Sequence, residues 1–297
     1  MPIITVADAS FGYNSADVFT NISFSVGKGE LFCLLGPNGS GKTTLLDCIL
    51  GMLKLRQGKI LIDGKESRSF PAGRIARHIA YVPQRHERTF PYRVLDIVTM
   101  GRAAYTGLFS GPSREDKRIA ARALETVGIG HLRDRPYTQL SGGEGQLVMI
   151  ARALAQQTLV IIMDEPTAHL DFRNDLLILE TIGQLVRETG RTIIMATHFP
   201  NHAFYFKNNG VPTTVALLHK KGFLATGDPD EVLTREQIRE VYGVETCMVS
   251  CSTGKALELK QLIPTGTVPS GMDDCLLKSK LNDFQEHHSL LSFQRRR

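Results

Sequence analysis

The sequence predicts an α/β protein with a mostly parallel sheet, half-buried strands near the N-terminus and a helical insertion. Three features lead to that reading. Residues 31–35, 159–163 and 192–197 are nearly continuous apolar runs, as parallel strands buried on both faces require. Residues 21–26 instead alternate, with Ile22, Phe24 and Val26 on one side, which marks a sheet with a single dry face. From Phe90 to Gln139 the apolar spacing becomes helical, so a helical insertion interrupts the α/β order.

Taken in order, residues 3–7 and 21–26 read as strands, with Gly27-Lys28-Gly29-Glu30 as the turn before the buried run that starts at Leu31. Ser10-Phe11-Gly12-Tyr13 lies between those strands. Tyr13 could stack on a base, but periodicity alone favours a half-buried turn residue.

The run ending at Leu35 is followed by Gly36-Pro37-Asn38-Gly39-Ser40-Gly41-Lys42-Thr43-Thr44 and then by apolar Leu45, Leu46, Ile49 and Leu50. This is strand, glycine loop and helix with the spacing G-x-x-x-x-G-K-T. The glycines let successive backbone N–H groups and the helix N-terminus converge on one anion. Lys42 would reach the terminal phosphates of a nucleotide as a mobile charge, and the Thr43 hydroxyl would sit on Mg²⁺.

Residues 58–64 form a short strand ended by Asp63-Gly64, and residues 79–84 form another stopped at Pro83, which leaves Gln84 at the sheet's edge. In the insertion, Val94, Leu95, Ile97 and Val98 suit one helix, and Ile119, Ala120, Ala123, Leu124 and Val127 suit another; a loop around Gly107 to Pro112 divides them. Leu140-Ser141-Gly142-Gly143-Glu144-Gly145-Gln146 then opens a helix carrying Leu147, Ile150, Ala151 and Leu154. Ser141 is the expected N-cap with Glu144 closing a capping box. Gly142 and Gly143 bare the helix start, a second anion site.

The run at 159–163 delivers Asp164 and Glu165 to its carboxyl end, where open α/β sheets bind ligands. Asp164 is placed to hold Mg²⁺ and Glu165 to orient and deprotonate a water. The run at 192–197 ends in His198, a candidate contact for the terminal phosphate. Residues 215–226 read as a hairpin about Lys220-Lys221-Gly222, and a helix is expected near 235–242. Residues 264–271 are linker-like, and the end, with Arg295-Arg296-Arg297, is read as a partly disordered tail.

The chain has 297 residues, 42% of them hydrophobic and 22% charged, enough to bury a large core. No apolar run approaches the roughly 20 residues that span a bilayer, and the start lacks the pattern of a signal peptide. A cytoplasmic place is therefore expected. The five cysteines form no metal-ligand spacing, and an odd number in a chain expected in the cytoplasm argues against a disulfide framework. The formal charge of +5 suits an anionic ligand or the inner face of a membrane, and equally an ordinary solvated surface.

Together these residues resemble the ATP-binding cassette family of transport ATPases over Ile3 to about Val244, with LSGGEGQ lying between the phosphate loop and LVIIMDEP. The resemblance implies an ATP-binding cassette over residues 1–250, made of a RecA-like P-loop NTPase core with a mostly parallel sheet, an N-terminal antiparallel β subdomain and an α-helical subdomain inserted at about 88–155, followed by a C-terminal extension over 251–297. It implies ATP and Mg²⁺ as cofactors. Tyr13 becomes the adenine-stacking aromatic, Gly36, Asn38, Gly39, Ser40, Gly41, Lys42, Thr43 and Thr44 the phosphate cradle, and Gln84 a further group on Mg²⁺ and the nucleophile. Ser141, Gly142 and Gly143 become the signature, Asp164 the metal carboxylate, Glu165 the catalytic base, Asp171 the D-loop acid and His198 the switch histidine. Gly145 stands where the family usually has Arg or Lys, and Phe199 where Asp is usual.

Residues 89–129 and EVLTREQIREVYGV look like the cassettes of metal-chelate importers, which take up iron siderophores, haem, cobalamin and sometimes molybdate. The family's geometry implies two copies head to tail around shared ATP. It also implies polytopic permease subunits, an indirect link to a substrate-binding protein, no nucleic-acid partner, and a peripheral place on the cytoplasmic face of the inner membrane. Phe90-Pro91-Tyr92 is either a permease contact or local packing. An exporter half and a soluble, non-transport cassette remain alternatives. A GTPase or small-molecule kinase would have no reason to keep LSGGEGQ.

Overall fold

A computed structural model describes residues 2–71, 73–84, 86–87, 89–107, 111–253 and 257–268. β1 (Ile4–Tyr13) and β2 (Ala16–Val26) form an antiparallel pair. β3 (Leu31–Leu35) leads through the glycine loop into α1 (Lys42–Ile49), after which β4 (Gln57–Ile62) and β5 (Lys65–Glu66) return to the first sheet. β6 (Ile79–Val82) precedes the helical insertion of α2 (Val94–Thr99), α3 (Arg114–Thr126) and α4 (Gly142–Ala155). β7 (Val160–Asp164), α5 (Phe172–Thr189), β8 (Thr192–Thr197) and α6 (Pro200–Asn208) follow. The remainder is β9 (Thr213–His219), β10 (Gly222–Gly227), α7 (Pro229–Val232), α8 (Arg235–Tyr242), β11 (Val244–Thr253) and β12 (Leu257–Thr267).

The central sheet runs β10-β9-β3-β8-β7-β6 and is parallel except at the β9/β10 hairpin; the N-terminal sheet runs β2-β1-β4-β5. Side-chain alternation divides each central strand between two cores. Leu31, Cys33, Leu35, Ile161, Met163, Ile193 and Met195 face the helical insertion and α5, whereas Phe32, Leu34, Val160, Ile162, Ile194 and Ala196 face α1 and the N-terminal sheet. Burial on both faces is why these strands lack polar alternation. Each fully buried Leu, Ile or Phe adds about 1.5–3 kcal/mol to folding.

Register sets the site. Leu35 pairs with Thr197, Asp164 with Ala196 and Val82 with Met163, so β3, β6, β7 and β8 end level with one another. Their next residues therefore emerge on one edge.

Two expectations give way. β1 continues past residue 7 to Tyr13, because Phe11 pairs with Phe19 across the sheet; the left-handed Asp8 (φ 51°) lies at an irregularity in the register instead of ending the strand. Residues 264–267, read as linker, belong to β12, and β11 crosses residue 250. This hairpin docks through side-chain amides. Asn201 donates to Leu262 O and accepts from Leu262 N (both 2.9 Å), and Asn208 donates to Lys260 O (2.9 Å), so α6 acts as a neighbouring strand would. Leu262 is buried beneath it. Residues 269–297, including the expected tail, lie outside the described residues.

Candidate active site

α3, α4, α5 and α8 begin with side-chain caps from Ser113, Ser141, Asp171 and Thr234, but α1 does not. Its N-cap is Gly41 in a left-handed conformation (φ 103°), so no side chain satisfies the first N–H groups. Those donors face the loop before them. A Cβ on Gly41 would lie 2.8 Å from Val18 Cγ1, and one on Gly36 would lie 2.7 Å from Leu218 O, so the loop is pressed between β2 and β9. A Cβ on Gly39 would meet nothing within 4 Å, and the buried Ser40 Oγ has no hydrogen-bond partner among the described residues. The cradle is thus tight at its base, open at its mouth and rich in unsatisfied donors, which fits a phosphate.

Lys42 closes the loop from within. Its Nζ donates to Gly36 O (2.8 Å) and Pro37 O (3.2 Å) and lies 3.4 Å from Glu165 Oε1. Both side chains are 7% exposed, so the charges compensate each other where water does little. Beside them the Thr43 hydroxyl donates to Asp164 Oδ2 (2.8 Å). Asp164 Oδ1 is buried without a hydrogen-bond partner among the described residues, and burial pushes this carboxyl up, against the Thr43 bond. A buried carboxylate oxygen lacking a donor, next to a hydroxyl oxygen, suits a hard divalent cation. The residues present therefore fit Mg²⁺.

Glu165 follows β7 with φ 45°, a left-handed conformation that costs about 1–3 kcal/mol in a non-glycine residue. Its N–H donates to Ala196 O (3.0 Å), and its carbonyl accepts from Ala168 N (3.1 Å), which holds the turn. The result aims its carboxylate between Lys42 and His198, whose Nδ1 lies 2.7 Å from Glu165 Oε2. Phe199, where the family resemblance expects an acid, places its ring 3.9 Å from the His198 ring.

The structure brings Lys42, Thr43, Asp164, Glu165 and His198 into one constellation. A second group forms around α4 and α5. Ser141 accepts from Glu144 N (3.3 Å) while Glu144 accepts from Ser141 N (2.7 Å), completing the expected capping box. The Ser141 backbone and side-chain contacts hold the Glu144 carboxyl below its usual range. Asp171 caps α5 by accepting from Asn174 N (2.8 Å), and a Cβ on Gly143 would collide with the Asn174 side chain. Gly142 is set against Leu170. Signature and D-loop residues thus pack on each other, with Ser141, Gly142 and Asp171 at the surface. Tyr13 is 53% exposed at the end of β1 and meets Phe11 edge to face at 5.0 Å. Gln84 lies just past edge strand β6, and among the described residues no hydrogen bond joins it to Thr43, Asp164 or Glu165.

Sequence reasoning missed three residues here. Tyr242, at the end of α8, is half-buried near Glu165, and the burial of its phenol pushes the group up. His202 and Asp175 face each other behind His198, their Nε2 and Oδ1 3.6 Å apart. The four-residue spacing of His198 and His202 was the available signal.

The profile of the ABC transporter family matches residues 19–168. An uncharacterized ABC transporter ATP-binding protein of Haemophilus influenzae is 39% identical over 81% of this chain and 89% of its own length. The molybdate import ATP-binding protein MolC of the same organism is 34% identical over 80% and 87%. The iron(3+)-hydroxamate import ATP-binding protein FhuC of Bacillus subtilis is 32% identical over 84% and 91%. Among solved structures, one described as a metal-chelate type ABC transporter in an inward-facing conformation superposes with a TM-score of 0.77 at 31% identity, covering 89% of this chain and 97% of that one.

Proposed function

Because this chain belongs to the ABC transporter family of ATP-binding proteins, we propose that it is the ATP-hydrolysing subunit of an importer for a metal chelate or an oxyanion. The observation that carries the reading is the set in which the buried Glu165 is held between Lys42 and His198 while the buried Asp164 meets Thr43. Relatives that import iron(3+)-hydroxamate and molybdate support the substrate class.

Glu165 takes the proton of the attacking water, and His198 fixes the orientation of its carboxylate. Lys42 and the α1 N-terminus hold the phosphates of ATP, with Gly36, Asn38, Gly39, Ser40, Gly41 and Thr44 shaping the cradle. Asp164 and Thr43 would hold Mg²⁺, with Gln84 at the end of β6 as a further group, and the ion would neutralise charge on the phosphates. Tyr13, exposed at the end of β1 opposite Ala16 of β2, stacks on the adenine. Ser141, Gly142, Gly143 and Asp171 serve the ATP of a second copy, since they pack on one another and not on this chain's own phosphate loop. Each ATP is then gripped by two copies, and hydrolysis releases them.

No helix among the described residues is long and apolar enough to cross a membrane. As relatives named import ATP-binding proteins suggest, the work passes to separate permease subunits at the cytoplasmic face of the inner membrane. Their docking place is the groove of about 200 Å³ between Phe90, Tyr92, Ile97, Met100 and Met149, where Phe90 and Tyr92 stand 63% and 49% exposed. Reconstitution with the permease in vesicles tests the assignment. ATP-driven uptake of an iron chelate, a corrinoid or molybdate is expected; uptake of none of them, or ATP-driven loss of a preloaded solute, contradicts it.

A further inference from the structure

We propose that His202 is a positioning residue for His198, acting through Thr197 and Phe199 and tied by Asp175 to the start of α5. The inference rests on the role given to His198 above. His202 is the third residue of α6, and its side chain is 8% exposed. Its Nδ1 lies 3.0 Å from Thr197 Oγ1, and its Nε2 lies 3.6 Å from Asp175 Oδ1. Thr197 is the last residue of β8, itself buried, and its Oγ1 accepts from Phe199 N at 3.2 Å.

Donor and acceptor logic orders this chain. The Phe199 N–H can only donate, so Thr197 Oγ1 accepts there. The Thr197 hydroxyl keeps its hydrogen and a second lone pair, and the hydrogen goes to His202 Nδ1 because the Asp175 carboxylate facing Nε2 calls for the ring proton on that side. In that arrangement a ring proton of His202 lies on Nε2, toward Asp175, which also takes the Thr167 hydroxyl. The His202 and Thr167 bonds draw the Asp175 carboxyl below its usual range despite partial burial.

The chain brackets His198. Thr197 before it and Phe199 after it are fixed by one hydroxyl, while Thr167 stands two residues beyond Glu165. Asp175 lies in the first turn of α5, four residues from the Asp171 cap, with its N–H on Asp171 O (2.8 Å). The two loops that flank the reacting water are therefore joined through the helix that carries the D-loop acid. Any buried imidazole needs partners on its two nitrogens; what sets His202 apart is that one of them, Thr197 Oγ1, also holds the N–H on the far side of His198.

The test compares Thr197→Val, His202→Asn, His202→Gln and His198→Ala in the full chain, reading kcat and KM for ATP, melting temperature and side-chain ¹⁵N NMR. Asn carries an acceptor near the position of Nδ1 and preserves the Thr197 bond; Gln reaches only toward Asp175. T197V and H202Q should lower kcat about 10-fold with KM for ATP within about 2-fold, at the low end of effects seen when groups that orient a reacting ligand are lost. H202N should keep kcat within about 3-fold, and combining T197V with H202Q should cost little more than either alone. NMR should find His202 as the Nε2–H tautomer. If H198A abolishes turnover while T197V and H202Q turn over normally, this inference fails and the role of His198 stands. If H198A turns over normally, the premise itself fails. Equal losses in H202N and H202Q that follow melting temperature, or a His202 proton on Nδ1, also overturn it.

Discussion

Glu165 Oε2 lies 2.7 Å from His198 Nδ1, and the same carboxylate reaches Lys42 through its other oxygen at 3.4 Å. One buried acid thus ties the residue after β8 to the first residue of α1. Glu165→Gln keeps the size of the side chain but cannot accept the proton of water. Hydrolysis should fall by roughly 100-fold or more, the scale of a lost general base, while nucleotide binding persists. Steady-state turnover beside equilibrium binding of a fluorescent nucleotide checks this, and near-normal turnover removes Glu165 from the role.

Asp164 gives a prediction about stability of opposite sign to its function. Burial raises its carboxyl above the ordinary value, so the ionised form costs folding energy once pH exceeds the unfolded value, and that cost is relieved as pH falls. Asp164→Asn keeps an oxygen for the Thr43 hydroxyl and removes the charge. Its melting temperature at pH 7 should equal or exceed that of the parent, with the difference shrinking toward pH 4, while Mg²⁺-dependent hydrolysis is lost. A variant that melts lower at pH 7 than the parent counts against this account of Asp164.

At Gly41 the cradle has no room for a Cβ, and φ is 103°. Gly41→Ala therefore meets both a clash with Val18 and a conformation costing about 1–3 kcal/mol. ATP affinity should drop at least about 10-fold. Adding Val18→Ala removes the clash but leaves the backbone strain, so isothermal titration should show only partial recovery. Full recovery would mean that the steric contact alone matters.

Phe90 and Tyr92 are exposed, their rings 5.9 Å apart at the lip of the groove. Replacing both by Ala should leave the ATPase rate of the isolated chain within about 2-fold and abolish co-purification with the permease from detergent extract. Retained co-purification would assign the pair to local packing.

Much of this was legible in the sequence for physical reasons. A strand buried on both faces must be apolar throughout, so β3, β7 and β8 announced themselves, and the residues following them were then bound to share an edge. Ser141 and Glu144 were readable as a capping box because that motif is local. What failed was non-local. The β11/β12 hairpin is held by Asn201 and Asn208 reaching from α6, contacts that leave no periodic mark in residues 244–267. The continuation of β1 to Tyr13 depends on Phe19 opposite Phe11. The contact of His202 with Asp175 joins helices whose closeness only the packed sheet reveals.

The central claim is that ATP is held by Lys42 of one copy and the Ser141 to Gly143 stretch of another. Sedimentation velocity of the Glu165→Gln chain with Mg²⁺ and ATP tests it most directly. The account predicts a monomer with ADP, a dimer with ATP, and no dimer once either Lys42→Ala or Ser141→Arg is added. A monomer at every ATP concentration, or a Ser141→Arg chain that dimerises as readily as its parent, would contradict it.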